Sequence, residues 1–80
     1  MSFQLFDTVR IVRLLIPDRE VTGSSALPPQ PQIGEQGTVV ADVGEGLLLV
    51  EHATADGHTV WMAEFSAVEL ELAARPAALE

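Results

Sequence analysis

Between residues 7 and 72 the apolar residues come in short runs bounded by turn-forming residues, and none of the runs carries helical spacing. Strands tolerate that pattern, because four to eight residues suffice to cross a sheet, whereas an amphipathic helix needs a longer periodic stretch. The chain therefore reads as all-β. Eighty residues make one domain with a thin core.

The strands can be placed in order. Residues 7–13 alternate with Val9 and Ile11 inward; Leu14, Leu15 and Ile16 extend the run, and Pro17 ends it. Residues 17–36 form a long loop without periodicity, holding four of the five prolines. Its Pro28-Pro29-Gln30-Pro31 favours extended backbone and matches P-x-x-P, but no basic residue flanks it, so it reads as a flexible insertion. Gly34 and Gly37 predict positive φ ahead of a second strand over 38–43. Gly44-Glu45-Gly46 then turns into a third strand over 47–52, and Ala55-Asp56-Gly57 into a fourth over 58–65. Ser66 and Glu69 have capping-box spacing, which predicts a short 3₁₀ turn. Residues 68–72 alternate as a fifth strand with Leu70 and Leu72 inward, leaving 73–80 as a frayed tail. Leu79 and Glu80 are either native or a vector-derived scar.

Charge narrows the function classes. Four basic residues, all arginine, face twelve acidic ones, for a net charge of −8. Nucleic acid and anionic membrane surfaces are bound by clustered Lys and Arg, so both are excluded as expected partners. The absence of cysteine removes disulfides, thiolate metal sites and a Cys nucleophile. No basic leader precedes an apolar stretch, so the expected location is cytoplasmic.

Hairpin geometry then predicts which side chains face water, since a one-residue slip turns a strand over. A two-residue Glu45-Gly46 loop pairs Val43 with Leu48 and Ala41 with Val50, with Val39, Ala41, Val43, Leu48 and Val50 inward. A two-residue Asp56-Gly57 loop would pair His52 with Trp61. A three-residue Ala55-Asp56-Gly57 loop pairs His52 with Val60 and puts Val50, Val60 and Met62 on one face. The three-residue loop is the expectation, and it places Trp61 outside with Val40 and Leu49. An exposed apolar cluster of Val40, Leu49 and Trp61 on an acidic protein is a candidate protein-contact patch. The same register puts Glu64 inside and Phe65 outside, which predicts a bulge near Glu64.

No constellation reads as catalytic. His52 and His58 with Glu51 are the closest approach to a metal site, and two histidines at strand ends fall short of three or four convergent ligands. Strand alternation sends most of Glu51, Glu64, Glu69 and Glu71 to solvent, leaving no paired carboxylates in a pocket. Ser24, Ser25 and Ser66 have no argued His–Asp partnership. Gly34 and Gly37 precede a strand, so no helix N-terminus is present to hold phosphate.

Several segments together resemble a known family. Leu5-Phe6-Asp7-Thr8-Val9-Arg10, then Gly34 and Gly37-Thr38-Val39-Val40, then Val50-Glu51, Asp56-Gly57-x-Thr59 and Val68-Glu69-Leu70 are similar to the uncharacterised bacterial family catalogued as domain of unknown function 4926. The likeness spans residues 5–72. It implies a small five-stranded SH3-like barrel, with the Pro-rich loop over 17–36 and the 3₁₀ turn before the last strand. It implies no activity and carries no site residues. The first loop is longer here than the family pattern, and His52 stands where an aromatic or aliphatic residue is more usual. The Gly-Thr-Val-Val segment also looks like a KOW-type element, whose RNA partners the net charge of −8 opposes.

The expected function is that of a small acidic, non-enzymatic protein-interaction module without a cofactor, directed to a basic protein partner, with self-association as a further option. The alternatives are a small-molecule or metal-binding barrel using His52, His58 and Glu51, and an acidic immunity- or antitoxin-like protein.

Overall fold

The computed structural model describes residues 3–76. It is all-β: β1 (Thr8–Ile11), β2 (Gln36–Gly44), β3 (Leu47–Ala53), β4 (Thr59–Ser66) and β5 (Leu70–Ala74), with one 3₁₀ turn (Ala67–Glu69) between β4 and β5. The strands form a single antiparallel sheet in the order β4-β3-β2-β1-β5. The expected barrel does not close. Strands β4 and β5 occupy opposite edges and are linked by the 3₁₀ turn rather than by a ladder of hydrogen bonds.

The first strand is shorter than its apolar run. Beyond Ile11 the chain leaves β1 for the 3₁₀ turn, where the backbone N–H groups of Val12 and Arg13 donate to the Glu69 carbonyl at 2.9 and 3.4 Å. Leu14, Leu15 and Ile16 are consequently not strand residues, and Leu15 and Ile16 are exposed. The fifth strand runs through Ala74, two residues past its expected end, while residues 77–80, including Leu79 and Glu80, lie outside the described residues.

The core is one cluster of Val9, Ile11, Val39, Leu48, Val50, Trp61, Ala63, Phe65 and Leu70. Val9 and Ile11 face inward as their alternation predicts, and Leu70 does the same in β5. The β2–β3 turn has the expected two residues, with Gly44 opposite Leu47 and both Glu45 and Gly46 at positive φ. This is the turn type whose twist suits a two-residue hairpin. Two register shifts within β2, between Val39 and Ala41 and between Asp42 and Gly44, alter the facing of its second half. Val39, Leu48 and Val50 stay inside, whereas Ala41 is half-buried and Val43 is exposed instead of inward.

The β3–β4 turn is where the expectation fails. The turn itself has the three expected residues: Thr54 and His58 close it, with the Thr54 N–H donating to the His58 carbonyl at 2.8 Å. One extra residue, Val60, then sits between the pair Ala53–Thr59 and the pair His52–Trp61. That bulge reverses the alternation of all of β4. Trp61, Ala63 and Phe65 turn inward, and Glu64 turns out. From His52–Trp61 to Leu47–Ser66 the register is uninterrupted, so no bulge lies at Glu64.

Burial decides between the two alternations. Each large aromatic hides about 150–250 Å², at roughly 25 cal/mol per Å². Burying Trp61 and Phe65 outweighs burying Val60 and Met62, and it avoids placing the Glu64 carboxylate in the core.

The two glycines ahead of β2 serve different ends. Gly34 has φ +97° and makes the bend. Gly37 is not at positive φ; it is there because the strands approach closely. A Cβ at Gly37 would lie 2.6 Å from the Val50 side chain and 2.8 Å from the Glu51 carbonyl oxygen. Both neighbours belong to β3, which is hydrogen-bonded to a strand on each side, so neither can retreat cheaply. Gly37→Ala is therefore expected to destabilise by about 1–3 kcal/mol, read as a lower midpoint in chemical denaturation. A variant with the parent's midpoint would refute the close-approach account.

Candidate functional site

The chain segment between β1 and β2 is built into the fold through one ion pair. Arg19 and Glu69 are both buried, at 7% and 1% exposure, and their side chains pair through both guanidinium Nη atoms. Glu69 comes from the 3₁₀ turn, where its carboxylate accepts the Ser66 N–H at 2.9 Å, as the capping spacing predicts. It also accepts the Leu15 N–H at 2.9 Å. Arg19 donates to the Glu64 carbonyl at 2.6 Å and lies over the Phe65 ring, 4.1 Å from its centre. Gln30 of the P-x-x-P segment clasps the Arg19 backbone from both sides, accepting its N–H at 3.0 Å and donating to its carbonyl at 2.7 Å. Burial raises the Glu69 pKa, but the Arg19 guanidinium and the Leu15 and Ser66 N–H groups outweigh it, and the net shift is downward.

Beyond Arg19 the loop lies along the free edge of β4. Thr22 and Met62 exchange backbone hydrogen bonds at 3.1 and 2.7 Å, and the Ser24 N–H donates to the Thr59 carbonyl at 2.9 Å. Gly23 allows this approach, since a Cβ there would meet the Val60 carbonyl oxygen at 2.6 Å.

Between this segment and β3–β4 lies a cleft of about 370 Å³. Ile16, Val21, Leu49, Met62 and Ala63 contribute its apolar lining. Asp18, Glu20 and Glu64, all exposed, contribute three carboxylates. Arg19 is the one cation in the lining, and its charge is already committed to Glu69. The site thus joins a greasy recess to uncompensated negative charge.

The expected contact patch is not assembled as predicted. Trp61 has no exposed surface; Val40 and Leu49 are half-buried. The Val60 bulge is the reason, because it carries the indole to the core side. There Trp61 stacks at a tilt on Phe65 and His52, and its Nε1–H donates to Glu35 at 3.1 Å. Leu49 alone of the three residues lines the cleft.

The histidines do not converge on Glu51. The His52 Nδ1 lies 2.6 Å from the Gln36 carbonyl and must carry the proton there, which turns Nε2 toward Glu35 at 3.5 Å. His58 sits in the turn beside Asp56, and Glu51 accepts from the Thr59 hydroxyl. Among the described residues no three His, Cys, Asp or Glu side chains are grouped to hold a metal ion. Ser66, one of the serines considered, hydrogen-bonds Glu69 rather than a histidine. No helix among the described residues is long and apolar enough to cross a membrane.

Sequence reasoning missed Arg19, Glu69, Asp18, Glu20 and Glu64 as a group. Glu69 was visible as a capping residue and as one of four carboxylates expected mostly in solvent, whereas it is buried. Arg19 gave one signal: it is the sole basic residue in the loop, flanked by two acids. No family model matches the chain, and neither curated proteins nor solved structures provide a match.

A second ion pair steadies the other end of the sheet. Asp7 is fully buried, and the Arg75 guanidinium grips it with two hydrogen bonds of 2.8 Å. These bonds, against the opposing effect of burial and with help from the Gln4 N–H, lower the Asp7 pKa from 3.8 to about 2. A depressed carboxyl stabilises the fold fully above its unfolded pKa, and this contribution vanishes as pH falls through the folded value. Stability is expected to decline between about pH 4 and pH 2, with Glu69 acting in the same direction. Asp7→Asn should flatten that decline while lowering stability at neutral pH. Denaturant midpoints measured across this range check it; an unaltered slope in the variant would count against the pair.

Breaking the buried pair on one side should cost more than removing both partners. Glu69→Ala is expected to lose about 3–5 kcal/mol, because Arg19 keeps a buried charge without its counterion. The double variant Arg19→Met, Glu69→Leu should recover much of that loss. Denaturation curves of the two proteins decide the matter, and equal losses would show that the charge pairing is not what matters.

Proposed function

We propose that the chain is a non-enzymatic interaction module that uses the acid-rimmed cleft to bind a basic, partly apolar segment of another protein. The observation that carries this reading is the coincidence, in one recess, of an apolar lining with three carboxylates that pair with no arginine among the described residues. An apolar side chain of the partner would enter between Ile16 and Met62, with a flanking Lys or Arg meeting Asp18, Glu20 or Glu64. The net charge of −8 would steer such a partner toward the protein and make association fall with salt. The cleft replaces the Val40–Leu49–Trp61 patch as the proposed surface and retains Leu49. The resemblance carried by Asp7-Thr8-Val9 and Gly37-Thr38-Val39-Val40, with the 3₁₀ turn before the last strand, supports reading the sheet as an open SH3-like roll.

The probe is a short synthetic peptide alternating leucine and lysine, titrated into ¹⁵N-labelled protein. Amide shifts are expected at Asp18, Glu20, Thr22, Leu49, Met62 and Glu64. In the triple variant Asp18→Asn, Glu20→Gln, Glu64→Gln, affinity should fall by roughly tenfold, since exposed charge pairs contribute about 0.2–1 kcal/mol each. Shifts centred elsewhere, or a triple variant that binds as the parent does, would refute the reading.

A further inference from the structure

The two edges of the sheet are treated differently. The β4 edge is covered by the chain's own Thr22–Ser24 segment, as the backbone bonds to Met62 and Thr59 show. The β5 edge has no such cover among the described residues. An uncovered edge offers unpaired N–H and C=O groups to any strand that can reach it.

Beside that edge lies an apolar cleft of about 570 Å³, lined by Phe3, Ala67, Val68, Leu70, Glu71 and Leu72. Val68 is 59% exposed there, so the 3₁₀ turn presents an aliphatic side chain to solvent directly before β5.

Charge selects the occupant. A chain of net charge −8 repels its own copies over most of its surface. Around β5 that repulsion is cancelled locally. Glu71 is paired with Arg10, Glu69 with Arg19 and Asp7 with Arg75, which places three of the four arginines on carboxylates in or next to β1 and β5. The one lining charge of the apolar cleft, Glu71, is therefore already neutralised. A basic partner gains nothing from this face, whereas a second copy meets no net charge on it.

We infer that two copies of the chain associate across a two-fold axis through their β5 edges, strand against strand, with Val68 and Leu72 of each copy covering the apolar cleft of the other. Each sheet gains backbone bonds, and together the sheets become one of ten strands. Stable interfaces bury about 800 Å² per partner. A five-residue strand and a shallow cleft supply less, so the expected dissociation constant is roughly 10–100 µM. The association should tighten severalfold at high salt, because the remaining charge is repulsive. Binding of a basic segment at the acidic cleft should instead weaken, so the two proposals fail separately.

Sedimentation equilibrium across that concentration range tests it on the full chain. The parent should shift from one-chain to two-chain mass, more readily at high salt. Val68→Lys should stay monomeric with the parent's circular dichroism, and Leu27→Lys, at a loop position 90% exposed, should dimerise like the parent. Hydrogen exchange of the unmodified chain supplies a readout that no variant can confuse: amides of β5 should gain protection with concentration. A parent that remains one-chain throughout, a Val68→Lys variant that still dimerises, association that weakens with salt, or protection confined to β4 would each overturn the inference.

Discussion

The pairing of Arg19 with Glu69 holds together parts of the chain that lie fifty residues apart. A buried ion pair is costly to desolvate, and it persists here because nearly every polar group around it is engaged. The carboxylate collects two guanidinium nitrogens and the N–H groups of Leu15 and Ser66; the guanidinium adds a carbonyl and the face of Phe65. This node has three effects. The turn between β4 and β5 keeps its shape, the segment after β1 is drawn off the sheet, and the Pro-rich loop is set against β4. The acidic cleft exists because Arg19 points inward while its neighbours Asp18 and Glu20 remain in water.

The aromatic core depends on a single inserted residue. With Val60 bulged, β4 offers Trp61, Ala63 and Phe65 to the interior, and the hairpin turn need not change. The indole then finds an acceptor in Glu35, which also faces His52. Glu35 belongs to the bend that Gly34 makes, so the turn ahead of β2 and the aromatic cluster of β4 are joined at one carboxylate.

Much of the architecture was legible in the residues. The five strands, the two- and three-residue turns, the capping box at Ser66 and the inward faces of β1 and β5 derive from alternation and turn chemistry. These are local signals, and the structure obeys them. The faces of β2 and β4 were not legible to the same degree, because a bulge leaves no mark on the turn beside it. The bulge is selected by the competition between Trp61 and Met62 for the interior, settled by the whole core. The candidate site was nearly invisible for a related reason. Arg19 reads as an isolated charge in a loop until Glu69, far along the chain, is placed against it. The glycines were half legible: Gly34 does take the positive φ its position suggests, whereas Gly37 answers to Val50 across the sheet.

The loop segment lying on β4 has a consequence for assembly size. A ribbon of strands grows into a fibril only when both flanks can recruit another molecule. Here one flank is occupied by the molecule's own chain, so any joining at the opposite flank leaves two blocked ends and halts. Under the proposed β5 pairing, the segment over residues 22–24 would act as a terminator, confining edge-to-edge growth to a closed pair.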